Sequence, residues 1–270
     1  MIGILDAGPL TTVQDLGRFG QLRYGIPQSG AMDRFALVVA NRLVGNADGA
    51  AALESTLIGP RFEADASYAI AVTGADAGVT VNGDTAPLWS TIFLNAGDVV
   101  KIGAARSGVR NYVAFRGGID VPLILGSRST YVRGGLGGHE GRALRRGDRL
   151  RILGGASPRA WALARDLIPG YDDEPLIRVV LGPQADRFSA DGLATLLETS
   201  YRLSPQSDRM GARLVGGRIE HAPESGGSLA LAGSWPSPTP GATGVSLPVR
   251  PGGEVAARRR SGRQVNPFPV

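Results

Sequence analysis

The chain has 270 residues, 43% of them hydrophobic, which is enough to bury a sizeable core in one large β structure or in two domains of ordinary size. Its formal charge of +5 does not point to nucleic acid, because from residue 225 onward five arginines face a single glutamate, and the rest of the chain is almost neutral. Zero cysteines exclude disulfides, thiolate metal sites and a Cys nucleophile, and two well-separated histidines give no metal-ligand pattern.

No apolar run has transmembrane length, and Met1 leads into a strand-like IGIL without a signal-peptide pattern, so no membrane partner and a cytoplasmic location are expected. Next comes a polar loop in which Asp15, Arg18, Gln28 and Asp33 stand among Gly17, Gly20, Gly25 and Gly30. Glycines there admit positive φ or close backbone approach, and an ordinary connector has no need of those polar groups. From Ala31 to Asn46 a helix is expected, with Phe35, Val38, Val39, Arg42 and Leu43 forming the inward stripe. Short β-like runs follow at 51–56, 68–73, 79–82, 91–94, 99–102 and 109–115. Asn82-Gly83-Asp84 signals a hairpin, and Asn95-Ala96-Gly97-Asp98 another tight reversal. The abundance of glycine and proline fits many turns between strands, as in an all-β barrel or sandwich.

A short helix is expected over 160–168, and Pro169 to Pro175 reads as a linker. The expected organisation is therefore residues 1–168 as a first domain, 176–224 as the start of a second, and 225–270 as an atypical tail. The second unit shows a strand at 177–181, a helical stretch at 190–198, a strand at 201–203 and a polar loop, 204–211. The tail is rich in Pro, Gly, Ser and Arg, which fits either disorder or a shifted reading frame in GC-rich DNA.

Five segments, TTVQDLGRFG, SGAMDRFALVVANRLVGN, ALESTLIGP, LGSRSTYVRGGLGGHEGRALRRGD and SPQSDRMGARL, together resemble the allophanate hydrolase subunit 2 family, also called biotin-dependent carboxyltransferase-like. This family includes the C subunit of 5-oxoprolinase. The resemblance runs from about Ile4 to Glu220 and departs at the C-terminus, where a Thr-Thr-Gly-Gly-Tyr-Pro-like turn and two closing strands do not follow Gly226. It implies a mainly β fold of two cyclophilin-like β-barrel domains with a few short helices. It further implies ATP-dependent hydrolysis of 5-oxo-L-proline to L-glutamate beside two companion 5-oxoprolinase subunits, one B-like and one a lactam-utilisation-like A subunit. ATP would be bound by, or together with, a partner. Two alternatives stay open: a carboxyltransferase component of a urea carboxylase or allophanate hydrolase-type system, and a non-catalytic protein that regulates a kinase. This chain has no Met-Lys-Met attachment motif, so any biotin comes from another chain.

Opening a lactam needs groups that hold a carboxylate or a developing oxyanion, and a base for water. Planar guanidinium groups suit the first task, which makes Arg18, Arg128, Arg142 and Arg209 candidates. Asp15 and Asp33 are the candidate bases, and with Arg18 they form the expected catalytic set. Gln28, Gly30, Ala31, Glu54, Thr130, Gln206 and Asp208 complete the expected substrate-binding set. Plainer readings stand beside these. Asp15–Arg18 and Asp208–Arg209 could brace their own loops, and Asp33 could cap the helix, with Gly30 exposing backbone N–H groups to an anion. Glu54 is either a buried arginine partner or an edge charge. Ser127, Ser129 and Thr130 lack a GxSxG elbow, and the glycine run 134–141 lacks the GK[ST] ending of a P-loop.

Overall fold

A computed structural model describes residues 1–155, 159–171, 181–204, 209, 211, 213–222 and 254–256. The chain divides into two compact units, the first of them built from Met1–Asp172. Its elements are β1 (Ile2–Asp6), β2 (Thr11–Gln14), α1 (Arg34–Leu43), β3 (Ala52–Thr56), β4 (Arg61–Ala64), β5 (Tyr68–Val81), β6 (Asp84–Ala86), β7 (Thr91–Leu94), β8 (Val99–Phe115) and β9 (Arg149–Leu150).

These nine strands form one antiparallel sheet with the path β2-β3-β8-β4-β1-β9, while β5 joins β8 to β6 and β7. Two pairs of short runs expected from the sequence prove to be halves of the long strands β5 and β8. Register shifts between Gly74 and Val79 bend the pair and let it curl. At Gly74, φ is 98° and a Cβ would lie 2.2 Å from the Arg110 carbonyl oxygen, so only glycine fits this bend. The Asn82-Gly83 hairpin forms as expected, with both residues at positive φ and Val81 opposite Asp84.

Alternation sorts the sheet into two faces. Val13, Leu53, Val113 and Val72 lie in cross-strand register and belong to the main core. One residue along, Thr12, Glu54, Tyr112 and Thr73 form a polar row on the opposite face. Helix α1 packs on that second face through Ala36, Leu37, Ala40 and Leu43, against Ala52, Ala71, Ala114 and Tyr112. The expected stripe is therefore rotated. Phe35 is exposed, and Asn41 is buried because its amide donates to the Asp48 and Ala50 carbonyls. The expected helix over 160–168 is also replaced. Leu163 N–H donates to Trp89 O and Thr91 N–H to Trp161 O, which holds 161–163 extended, and only Arg165–Leu167 makes a 3₁₀ turn.

Among the described residues the two cyclophilin-like barrels are not found. In the first unit the sheet is curled but unclosed, because β2 and β9 are ends without a ladder between them. The intervening chain cannot supply a closing strand, since Gly126, Gly135, Gly137, Gly138, Gly141 and Gly147 all have positive φ. Loop backbone spans the gap instead. Leu144 N–H donates to Thr11 O on β2, while Ile4 of β1 exchanges hydrogen bonds with Gly147 and Asp148. In the second unit, α2 (Ala190–Glu198) precedes an open sheet of three short strands, β11-β10-β12, with β10 at Ser200–Leu203, β11 at Leu214–Val215 and β12 at Glu254–Ala256. Helix α2 has the expected bounds, capped by Ser189, whose hydroxyl accepts from Gly192 N–H. Residues 177–180 of the strand expected at 177–181 and most of the 204–211 loop lie outside the described residues, and Leu181 belongs to no strand.

Candidate functional site

The polar loop after β2 folds into two networks that meet at residues 30–33. The first is centred on Asp15, which is 7% exposed. Its carboxylate accepts from Gly17 N–H (2.8 Å), Arg128 N–H (2.6 Å), Ser127 Oγ (2.7 Å) and Ser129 Oγ. Asp15 N–H in turn donates to Ser129 Oγ, and Asp15 O accepts from Ala31 N–H. Asp15 is thus the clamp that fastens the post-β2 loop to the segment 127–130. Ser127 and Ser129 are its donors. Thr130 lies at the edge of the clamp, its N–H and Oγ both donating to Val13 O.

Arg18 shares this region without pairing with Asp15. Its Nε donates to Ile124 O and its Nη2 to Ser129 O, both at 3.0 Å. The side chain is 1% exposed, and Nη1 is buried with no hydrogen-bond partner. Burial lowers its pKa, and the charge of Asp15 opposes that shift. The backbone around it is tightly packed. A Cβ on Gly30 would lie 2.8 Å from Gly17 Cα, and Gln28 contributes its carbonyl, which accepts from Arg18 N–H. Gln28, Ala31 and Asp33 are half-buried, whereas Gly30 is buried.

The second network lies under the start of α1. Glu54, 2% exposed, accepts through Oε2 from Met32 N–H (2.9 Å) and Tyr112 Oη (2.8 Å), and its Oε1 is 3.9 Å from Arg110 Nη1. Tyr112 Oη also accepts from Asp33 N–H at 2.7 Å. Burial pushes the Tyr112 phenol well above its ordinary pKa, and Glu54 pushes it further. Asp33 caps the helix, its Oδ1 accepting from Ala36 N–H, and its Oδ2 accepts from Tyr171 Oη at 2.7 Å. Tyr171 is itself raised by burial and by Asp33. The N–H groups of Ala31, Met32 and Asp33 are therefore all taken by Asp15, Glu54 and Tyr112, and none of the three is left for an anion.

The remaining candidates are placed as follows. Arg142 is consumed by Asp148, through Nη1 at 2.8 Å and Nη2 at 3.0 Å, and by Glu140 through Nε and Nη2. These hydrogen bonds raise the Arg142 pKa and hold the Asp148 carboxyl below its usual range. Arg128 is half-buried and donates Nε to Val121 O. Gln206 and Asp208 lie outside the described residues, and Arg209 belongs to the second unit. Of the glycines of 134–141, Gly137, Gly138 and Gly141 are packed against protein, for a Cβ on them would meet Ser129 O at 2.1 Å, Thr130 Oγ1 at 1.9 Å or Gly135 O at 2.1 Å. They are there for close approach of chain to chain, which is not a phosphate cradle. Sequence reasoning missed Tyr112 and Tyr171 as partners of Glu54 and Asp33. Tyr112 carried a signal, since alternation along 109–115 puts it on the α1 face, opposite Glu54.

The profile of the family described as "Carboxyltransferase domain, subdomain A and B" matches residues 24–241. Urea amidolyase of Lachancea kluyveri is 37% identical over 242 residues, covering 84% of this chain and 13% of that protein. The C subunit of 5-oxoprolinase from Escherichia coli is 40% identical over 223 residues, covering 80% of this chain and 69% of that protein. Among solved structures, urea amidolyase of K. lactis superposes with a TM-score of 0.77 at 34% identity, covering 82% of this chain and 14% of that one. The chain thus spans about an eighth of the urea amidolyases and about two thirds of the bacterial 5-oxoprolinase component. No helix among the described residues is long and apolar enough to cross a membrane.

Proposed function

Since this chain belongs to the carboxyltransferase domain family, subdomains A and B, we propose that it is a carboxyltransferase component that moves a carboxyl group onto a urea- or amide-type acceptor within a larger enzyme. The observation that carries this reading is the superposition on K. lactis urea amidolyase at 34% identity. Biotin, when bound, supplies the carboxyl group in such chemistry, and it comes from another chain or segment, since the single lysine, Lys101, lies on β8 and not in an attachment motif. The guanidinium of Arg18, which makes no hydrogen bond to a carboxylate and keeps Nη1 without a partner, is chemistry that suits a carboxyl group. Around it, the Asp15 clamp holds the 127–130 segment in place, and Asp33 and Glu54 fix the entry to α1, so these carboxylates act by positioning backbone. Gly137, Gly138 and Gly141 of the glycine run are closely packed against protein, which supports an ATP site formed by, or together with, a companion polypeptide.

A second reading has its own support. The E. coli 5-oxoprolinase component is the relative matched over the larger share of its own length, which favours a role within an ATP-dependent 5-oxoprolinase. One experiment separates the two. The protein is purified together with its companion subunits, then supplied either with ¹⁴C-labelled N-carboxybiotin and urea or with ATP and 5-oxoproline. Label transferred to urea is the expected result. Glutamate release without label transfer overturns it in favour of the second reading, and silence in both assays removes both.

A further inference from the structure

A guanidinium carries five N–H donors and no acceptor, and a buried one ordinarily has its charge paired. Arg18 departs from that rule. Its side chain is 1% exposed, Nε and Nη2 each donate to a neutral carbonyl, of Ile124 and Ser129, and Nη1 has no partner. No carboxylate among the described residues forms an ion pair with it. Asp15, the nearest acid in sequence, favours the Arg18 cation through its charge but spends its hydrogen bonds on Gly17, Ser127, Arg128 and Ser129. The other arginines of the first unit's motifs are not in this condition, since Arg142 is paired with two carboxylates and Arg128 is only half-buried. An orphaned donor on a buried cation costs about 1–3 kcal/mol or more, and such groups in native proteins call for a reason.

The surroundings are built closely around this one side chain. A Cβ on Gly137 would lie 2.8 Å from Arg18 Nη2. On another side, Ile124 and Ser127 exchange backbone hydrogen bonds across Leu125-Gly126, and Leu125 is held at φ 51°, a conformation that costs a non-glycine residue about 1–2 kcal/mol. Residues 122, 123, 125 and 126 are exposed, as are 132–135, while Ser127, Ser129, Gly137 and Gly138 beneath them are buried.

We propose that Arg18 Nη1 is the donor for a carboxylate-type oxygen of a small ligand, and that the 122–126 or the 132–135 turn moves aside to admit it. The inference rests on the carboxyl-transfer reading for the identity of the ligand, whose class is a carboxylate or an N-carboxylated nitrogen. The structure holds the arginine in the closed arrangement. Ligand oxygen then completes the guanidinium, which is already fixed by Ile124 O and Ser129 O and gives up little side-chain entropy on binding.

The test uses the full chain with acetate, bicarbonate, inorganic phosphate and, as a neutral control, urea. With arginine side chains ¹⁵N-labelled, acetate or bicarbonate is expected to shift the Arg18 resonances saturably, and to change the hydrogen-exchange rates of 122–126 or 132–135. Arg18→Met is expected to weaken carboxylate binding about tenfold or more, with Arg18→Lys intermediate. Unshifted Arg18 resonances at saturating carboxylate overturn the proposal even where Arg18→Met does not fold, as does a shift given by phosphate alone. A folded Arg18→Met with wild-type carboxylate affinity overturns it as well. Carboxyl transfer that proceeds while Arg18 ignores carboxylates sinks this inference and leaves the functional reading standing. Carboxylate binding at Arg18 without carboxyl transfer does the reverse.

Discussion

The polar row beneath α1 and the loop cluster around Arg18 use the same materials: a buried carboxylate, an arginine, hydroxyl groups and backbone N–H donors. In the row, Glu54, Tyr112, Asp33 and Arg110 are joined to one another or to the backbone. The Arg18 cluster is closed on its acidic side, where Asp15 is saturated, and open on its basic side, where Nη1 has nothing to bind. A network that satisfies itself accounts for its own burial, whereas a buried charge left incomplete calls for an explanation, and a ligand arriving from outside is the one proposed above. In the proposed reading the two candidate bases, Asp15 and Asp33, position backbone, and the arginine between them is the group of chemical interest.

The sharpest way to break this comparison is Asp15→Asn. Asparagine keeps one acceptor oxygen where four donors now converge, so the clamp loses about 3 kcal/mol. Urea denaturation is expected to show a lower midpoint with an unchanged slope. Wild-type stability combined with lost activity would instead return Asp15 to the role of a base. Glu54→Gln comes next, at about 1–2 kcal/mol, because its amide oxygen can still serve Met32 and Tyr112 while the charge facing Arg110 disappears. Its carboxylate affinity, measured as for Arg18, is expected to match that of the wild type. A change in affinity as large as that of Arg18→Met would mean that the two networks are one.

A third test falls outside both networks. Hydrogen bonds from Arg142 hold the Asp148 carboxyl below its ordinary value of 3.8 in a segment that spans the gap between the sheet ends β2 and β9. A depressed carboxyl contributes stability that is complete above its unfolded value and is lost as the pH falls through the folded one. As the pH falls below about 4 this contribution, about 1 kcal/mol, is expected to disappear from the wild type. Asp148→Asn should be less stable at neutral pH and lack that increment of acid sensitivity, as guanidinium titrations at each pH would show.

Much of this was legible in the chain, for reasons that can be traced to particular residues. The Asn82-Gly83 hairpin and the α2 bounds follow from local preferences, which tertiary context did not override. The inward face of α1 was misjudged because its partner surface is made of Ala52, Ala71 and Ala114. Small sheet residues invite small helix residues such as Ala36 and Ala40, and hydrophobicity alone pointed to Phe35. The absence of barrel closure was hidden for a similar reason. Family resemblance supplies strands, but whether β2 meets β9 depends on φ at Gly137, Gly138 and Gly141, which no periodicity reveals. For the site, residue chemistry within the segments that carry the family resemblance brought Asp15, Arg18, Arg128 and Thr130 into one list. It could not tell which charge would be left incomplete, because that depends on Ser127 and Ser129 reaching Asp15 first.

The smallest expected effect refines the comparison most. Leu125 and Gly126 both have positive φ, as a two-residue type I′ turn demands, and Asn or Gly is the usual residue at the first of these positions. Leucine there is strained, and its side chain is 46% exposed, so little burial is lost by replacing it. Leu125→Asn is therefore expected to stabilise the protein by about 0.5–1 kcal/mol, read as a higher thermal midpoint. If the 122–126 turn is the one that moves to uncover Arg18 Nη1, relieving its strain favours the closed arrangement, and carboxylate affinity falls even as stability rises. A stabilised variant with unchanged affinity assigns the movement to 132–135, while a variant that is not stabilised means that the Leu125 strain is offset by contacts of its own side chain.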